Sequence, residues 1–226
     1  MARLLIHRLD PSARLARLML GEYEVAFDLQ DISPWKRDPA FLELNPAATV
    51  PVFVTDEEVP VVGTLAVVHH VEEHFNPGEP GRGLFPSNPA VRAEMWRLVE
   101  WVLFKLNDEV TRYVIEEKIA KRELRSATTD PGVLRVAKAN LAEHMNYFGW
   151  LLATRRWLGG ELMSLADFAL AAHLSSLDYL GDVDWSKHEE VKLWYARMKS
   201  RPAFRPLLSD RIVGMPAAPT YADLDF

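Results

Sequence analysis

Few side chains in this chain of 226 residues have the reactivity that catalysis needs. There is no cysteine, so the sequence offers no thiolate nucleophile, disulfide or cysteine metal ligand. His70, Glu73 and His74 form the pattern H-x-x-E-H, which certain zinc proteases use. Two histidines four residues apart share a helix face and could both contact a metal. No third ligand is evident, so we expect an ordinary helix end and no metal site.

A second candidate group lies where Asp10, Pro11 and Ser12 mark the start of a helix. Aspartate is among the best N-cap residues, and proline is favoured at the first helical position. Helix N-termini also stabilise anions, because their first N–H groups are unpaired and the helix dipole is positive there. We interpret Asp10 as a structural cap, and Ser12 is the nearby hydroxyl that could serve chemistry.

Composition and charge exclude several classes of protein. The net charge is -6 and the isoelectric point is near 5.7, which argues against a general nucleic-acid binder. The apolar windows, such as residues 162–174, are too short to span a bilayer. Residues 1–9 lack the long apolar stretch of a signal peptide. We expect a cytoplasmic protein with no membrane insertion.

Alternating short strands and helices precede a clear break in composition. The strand and helix patterns lie at residues 4–8, 11–20, 23–29, 50–55, 58–62 and 64–75. Residues 77–88 are rich in proline and glycine and form the predicted linker. The sequence therefore predicts a small α/β domain over residues 1–76.

Helical periodicity dominates the chain after the linker. The apolar spacing predicts helices over residues 89–124, 134–154, 165–180 and 189–200. Periodicity is lost from Ser209 onward, where two prolines occur. We predict an all-helical domain over residues 89–208 and an extended C-terminal tail over 209–226. The fold class is thus α/β plus all-α.

This order resembles the glutathione S-transferase family, which joins a thioredoxin-like domain to a helical domain. Residues 11–17 (PSARLAR) resemble the family pattern P-x-x-R-x-x-R. Residues 45–53 (NPAATVPVF) resemble N-P-x-G-x-V-P-x-L, in which the second proline is cis. Ser164 and Asp167 resemble the capping motif [ST]-x-A-D, a reciprocal pair of helix-capping hydrogen bonds. The resemblance covers the chain to about Leu208.

The resemblance places Asp10 where the family has the serine or cysteine that stabilises the glutathione thiolate. An ionised carboxylate cannot donate a hydrogen bond and repels a thiolate. Two like charges ~4 Å apart cost about 4 kcal/mol at an effective dielectric constant near 20. The resemblance therefore implies weak or absent transferase activity and no cofactor. Glutathione would enter only through the alternative, an active glutathione-dependent enzyme that uses Ser12.

The rest of the family's glutathione site is also incomplete. The resemblance assigns the peptide backbone of glutathione to the backbone of Val50, next to the cis proline Pro51. The family's [EQ]-S pair, which binds the γ-glutamyl end, is Gly63-Thr64 here. Thr64 keeps a hydroxyl, whereas Gly63 has no side chain and could instead serve a tight turn. We expect a vestigial glutathione site.

Candidate partner-binding residues lie beside the cleft and at the end of the chain. Trp35, Lys36 and Arg37 follow the second predicted strand, and Asp225 and Phe226 close the acidic tail. Tryptophan and arginine often anchor interfaces, although packing would explain Trp35 equally well. Within the family the chain is similar to glutathione-transferase-like division proteins of α-proteobacteria that bind FtsZ filaments.

That similarity implies a non-catalytic, homodimeric adaptor at the division site, which promotes constriction and whose tail binds a further division protein. A translation-factor or chaperone-like scaffold is another interpretation of the same fold. The basic run Arg112, Lys118, Lys121, Arg122 and Arg125 is typical of a solvated helix face, and it could also receive an acidic peptide.

Overall fold

Four short strands form one mixed sheet in a computed structural model that describes residues 1–79 and 82–224. The strands are β1 (Arg3–Ile6), β2 (Asp28–Asp31), β3 (Val52–Val54) and β4 (Pro60–Val62). Their spatial order is β2-β1-β3-β4, with β1 parallel to β2 and antiparallel to β3. β1 and β3 are central, and their apolar side chains are buried almost completely.

Three helices and one short 3₁₀ turn accompany this sheet. They are α1 (Pro11–Glu22), the 3₁₀ turn Pro34–Lys36, α2 (Pro39–Leu44) and α3 (Thr64–Phe75). α1 begins where the cap predicted it, but it extends two residues past the predicted end at residue 20, so that Gly21 lies in its last turn. A Cβ atom at Gly21 would lie 3.3 Å from Ala203, so close packing against the helical half favours glycine there.

The predicted strand over residues 23–29 is largely wrong, because β2 begins only at Asp28. Tyr23, Val25 and Phe27 pack against the core from a loop, and their alternation with exposed residues imitates a strand. Glu24 has φ 56°, a left-handed conformation that turns the chain as it leaves α1. A local backbone turn therefore overrides the period-two pattern.

The second half of the chain is helical. A continuous helical rod spans residues 89–124 and contains α4 (Pro89–Glu100), α5 (Arg112–Ile115) and α6 (Lys121–Leu124), joined by wider π-type turns. The remaining helices are α7 (Pro131–Leu152), α8 (Leu165–Tyr179), α9 (Glu189–Lys199) and α10 (Arg205–Leu208). Across the described residues, none of these helices has the combined length and apolarity needed to cross a membrane.

Helix α8 is the centre of the helical half, since all of its residues are buried. It packs directly against α1, so one hydrophobic core joins the sheet-bearing half to the helical half. The predicted capping box starts α8: the Asp167 carboxylate accepts the backbone N–H of Ser164 at 3.0 Å. This part of the predicted capping motif is confirmed as structural.

The tail is not extended: through Leu224 it folds back onto the body. The Tyr221 side chain is completely buried, and its hydroxyl donates to the carbonyl of Leu207 at 2.7 Å. Tyr179 holds a turn of the tail by accepting the N–H of Ile212 and donating to the carbonyl of Met215. An aromatic side chain that the core can bury thus anchors an aperiodic segment. Asp225 and Phe226 lie outside the described residues.

Candidate functional site

An open cleft of about 690 Å³ lies between the start of α1 and the helical rod. Its lining brings together most of the predicted site residues: Asp10, Ser12, Trp35, Arg37, Val50, Gly63 and Thr64. Lys36 points elsewhere and lines a neighbouring pocket. Segments more than fifty residues apart therefore meet at one concave surface.

Asp10 itself occupies the anion-binding position at the N-terminus of α1. Its carboxylate accepts the backbone N–H of Ala13 at 2.8 Å, as an N-cap does. Burial raises the pKa of Asp10 to about 6, although the hydrogen bond from Ala13 opposes this effect. The group is still about nine-tenths ionised at pH 7. A thiolate at this point would meet a negative charge and compete for an N–H group already in use.

Replacing Asp10 with asparagine should stabilise the protein near neutral pH. Asparagine caps helices as well as aspartate and keeps an oxygen for the N–H of Ala13. The folded-state pKa of Asp10, about 6, lies above the ordinary aspartate value. The stability that this carboxyl group contributes to the fold is therefore greatest at low pH, where the group is protonated. That contribution is lost as the pH rises through about 6. The raised pKa corresponds to at most about 3 kcal/mol, and partial exposure reduces the expected gain to about 1 kcal/mol.

Urea unfolding of wild type and Asp10→Asn at several pH values tests this prediction. The stability difference should be near zero at pH 4 and reach about 1 kcal/mol at pH 7.5. Asp38→Asn is the matched control, because Asp38 caps α2 by accepting from Ala40 but is exposed to solvent. A pH-independent difference for Asp10→Asn would show that its carboxyl is not desolvated.

Ser12 is the second residue of α1 and lines the cleft. Its hydroxyl makes no hydrogen bond with any other described residue, so it can donate to a ligand. The shift of two residues from Asp10 means that a ligand thiol would have to approach the helix from a different direction than in the family pattern. Ser12 is thus an available donor in an altered place.

The Val50–Pro51 peptide bond is cis, as the resemblance implied. The backbone N–H and C=O of Val50 have no hydrogen-bond partner within the described part of the chain, and Val50 lines the cleft. These two backbone groups are therefore available to pair with an extended ligand. Pro51 itself is buried behind it.

Gly63 precedes α3 with φ 93°, a conformation that side chains rarely adopt. A Cβ atom there would meet no atom within 4 Å, so backbone conformation rather than crowding favours glycine. The positive φ supports the interpretation that Gly63 serves a change of chain direction. Thr64 begins α3, and the acid or amide that would grip a γ-glutamyl amino group is missing at position 63.

Trp35 is half-buried and packs edge-on against His7, with 4.8 Å between the ring centroids. It belongs to a small apolar cluster with Leu9 and Met215 of the tail. Lys36 and Arg37 are exposed on the same turn, and Arg37 ends it in a left-handed conformation. Packing therefore holds Trp35 in place. Lys36 and Arg37 are more accessible to a partner than Trp35 is.

Sequence reasoning missed the wall that the helical rod contributes to the cleft. Arg112, Glu116, Ala120 and Lys121 line it, at a spacing that places them on one helix face. Arg112 donates to the hydroxyl of Tyr113 at 2.9 Å, whereas Lys121 pairs with Glu117 at 2.7 Å. The four-residue spacing of these residues indicates a common helix face. The neighbouring sequence does not show that this face meets the sheet domain.

The H-x-x-E-H segment lies on α3 away from the cleft lining. The rings of His70 and His74 stack with centroids 4.0 Å apart, and burial and His74 both lower the pKa of His70. Within residues 1–79 and 82–224 no group of three potential ligands could hold a metal ion.

Comparison with known proteins identifies this architecture. Models of the glutathione S-transferase N-terminal and C-terminal domains match residues 5–80 and 112–202. FtsZ-localized protein A of Caulobacter vibrioides is 43% identical over 221 residues, which cover 96% of this chain and 95% of that protein. Human glutathione S-transferase omega-2 is 25% identical over 91% of this chain and 79% of its own length.

Solved structures agree over the entire chain. A glutathione S-transferase from Sinorhizobium meliloti 1021 has a TM-score of 0.95 at 40% identity and covers 100% of both chains. FzlA from C. crescentus has a TM-score of 0.93 at 42% identity and covers 100% of this chain and 99% of its own. The chain therefore belongs to the glutathione S-transferase family and resembles FtsZ-localized protein A within it.

Proposed function

We propose that this protein is a non-catalytic adaptor that binds FtsZ filaments and promotes constriction during cell division. The observation that carries the proposal is the 43% identity to FtsZ-localized protein A over 96% of the chain. The Asp10 carboxylate supports the loss of catalysis, because it fills the position that a thiolate would need. The adaptor acts in the cytoplasm at the division site and uses no cofactor.

The proposed contact surface surrounds the old cleft. Trp35 is held by His7, and this packing presents Arg37 at the cleft edge and Lys36 beside it. Arginine and tryptophan are enriched among the residues that dominate interface energies. Asp225 and Phe226 are proposed to contact a further division protein.

A homodimer is part of the proposal. Leu65 on α3, Val91 on α4 and Phe104 on the rod are large apolar residues with 38–55% of their surface exposed. Exposed apolar groups of this kind are stabilised when a second copy covers them. A native mass of twice 25.7 kDa is the corresponding control in any binding experiment.

Co-sedimentation with polymerised FtsZ tests the adaptor function. Wild-type protein should pellet with the filaments, and Arg37→Glu should weaken this at least tenfold, about 1.4 kcal/mol. Arg135→Glu makes the same charge change on an exposed face of α7 and should pellet as wild type does. Equal pelleting of all three proteins would remove the cleft edge from the interface, and no pelleting of wild type would refute FtsZ binding.

The second candidate is an active glutathione transferase that uses Ser12. The open cleft of about 690 Å³ and the unpaired Ser12 hydroxyl favour it. The adaptor proposal expects no retention on immobilised glutathione and no conjugation of a standard electrophile. Conjugation that Ser12→Ala abolishes, with Thr64→Ala as a comparison at the other end of the site, would establish the transferase instead.

A further inference from the structure

A second pocket of about 650 Å³ lies beside the cleft and shares no lining residue with it. Four separate segments build it: the ends of β1 and β2, the end of the helical rod, and the tail turn at residues 211–215. We call it the basic pocket. Because the tail supplies one wall, this pocket depends on the tail folding back onto the body.

The basic pocket is strongly cationic in an acidic protein. Five of its side chains are cations and two are carboxylates, whereas the whole chain has a net charge of -6. Both carboxylates already have partners. Asp31 accepts from Arg8 at 2.7 Å, and Glu123 contacts His7 at 2.9 Å and Ser33 at 2.6 Å.

Four of the cations lack a carboxylate partner. In the part of the chain that the structure describes, Lys36, Arg122, Arg125 and Arg211 form no ion pair. Arg122 and Arg211 donate only to backbone carbonyls, such as that of Gly214 at 2.7 Å, which carry no net charge. The pKa of Glu123 is lowered by its hydrogen bond with His7 and also by the charge of Lys36, so this carboxylate partly balances Lys36. The positive charges of Arg122, Arg125 and Arg211 are left uncompensated at one concave surface.

Two other cations of the basic run behave differently. Lys118 pairs with Asp182 at 2.7 Å, and Lys121 pairs with Glu117 at 2.7 Å. The basic run seen in the sequence thus divides into neutralised members and members that face the basic pocket. Ion pairs within the protein account for the charges of Lys118 and Lys121. They do not account for the charges that face the basic pocket.

Apolar residues lie among these cations. The apolar residues that line the pocket are Ile32, Ile119, Ile212, Val213 and Met215, and 96% of the surface of Val213 is exposed. Tyr179 fixes the tail turn, because it accepts from Ile212 at 2.9 Å and donates to Met215 at 2.8 Å. The apolar wall is therefore preorganised rather than formed by a ligand.

We propose that the basic pocket binds an acidic peptide segment of a partner protein, in which carboxylate side chains alternate with apolar ones. A free phosphate would satisfy the cations but leave the apolar wall uncovered, and the pocket is much larger than one phosphate group. An acidic-apolar peptide matches both features of the lining. Lys36 also borders the proposed FtsZ contact surface, but the other cations of the pocket do not belong to that surface, and the peptide is tested in the absence of FtsZ.

A fluorescent peptide, Glu-Leu-Glu-Phe-Glu-Leu-Glu, is the probe, and fluorescence anisotropy measures its binding to the full-length protein. Wild type should bind it, and affinity should fall as salt is raised and the charges are screened. Lys36→Glu/Arg125→Glu should weaken binding at least tenfold. Neither side chain makes a hydrogen bond with another described residue, so the fold should be retained.

Arg135→Glu/Lys138→Glu is the matched control, because it reverses two exposed cations on α7 and should leave the affinity within twofold. Equal weakening by both double variants would overturn the proposal in favour of non-specific attraction to charge. Equal binding of a peptide with serine in place of leucine and phenylalanine would also overturn it. So would full competition by inorganic phosphate at the concentration of the peptide.

Discussion

Replacing Asp210 with asparagine should lower the free energy of unfolding by about 3–5 kcal/mol, because it leaves buried arginines without a counter-charge. Asp210 is 2% exposed, and Arg14 and Arg17 are 0% and 4% exposed. The carboxylate contacts Arg17 at 2.6 Å and Arg14 at 3.4 Å, and it also accepts from Arg8 at 2.9 Å. One tail residue thus supplies the carboxylate that both arginines of the first helix share.

Urea unfolding at neutral pH measures this loss. Asp31→Asn is the control, since Asp31 also pairs with Arg8 but its side chain is 53% exposed. An exposed pair contributes at most about 1 kcal/mol, so the control should unfold almost as wild type does. If Asp210→Asn loses no more stability than Asp31→Asn does, the arginines of α1 do not depend on the carboxylate that the tail supplies.

Asp167→Ala should cost about 3–4 kcal/mol, because three buried donors lose their acceptor together. The Asp167 carboxylate accepts the backbone N–H of Leu158 at 2.9 Å and that of Ser164 at 3.0 Å. It also accepts the indole N–H of Trp194 at 2.9 Å. The residue therefore ties the start of α8 to the loop before it and to α9.

Thermal and urea unfolding check this second loss, with Ser164→Ala as the comparison. Ser164 belongs to the same capping motif, but loss of a cap residue alone costs about 1 kcal/mol. If both variants lose the same amount, Asp167 acts as a simple cap and its contact with Trp194 adds nothing. Trp194 fluorescence should shift only in Asp167→Ala, because only that variant removes the indole partner.

Local chemistry made much of the fold predictable. The helix start at Asp10-Pro11, the helix over residues 64–75 and the capping motif at Ser164 all depend on neighbours within a few positions. Such signals survive in the sequence because capping and periodicity act over one or two helical turns. The strand predicted over residues 23–29 failed because a left-handed residue, Glu24, carries no strong sequence signal.

The candidate site was predictable only in part. Asp10, Val50 and Gly63 could be placed by motif, and the structure brings them to one cleft. The opposite wall could not, since Arg112 and Glu116 lie about a hundred residues from Asp10 and their spacing fits any solvated helix face. Whether that face meets the cleft is decided by how the rod packs.

The residue types at the start of α1 already imply a capped helix, since this follows from the chemistry of Asp10 and its immediate neighbours. The loss of a thiolate site at Asp10 is a prediction that rests on the resemblance to the family. The role of the tail does not follow from its own composition. Asp210 and Tyr221 contact Arg14 across 196 and 207 residues of sequence, at 3.4 and 2.9 Å. Burial of these charges requires the assembled core, and the same folding back creates the basic pocket. Contacts so distant in sequence leave no periodic or motif signal, so only the packed chain reveals them.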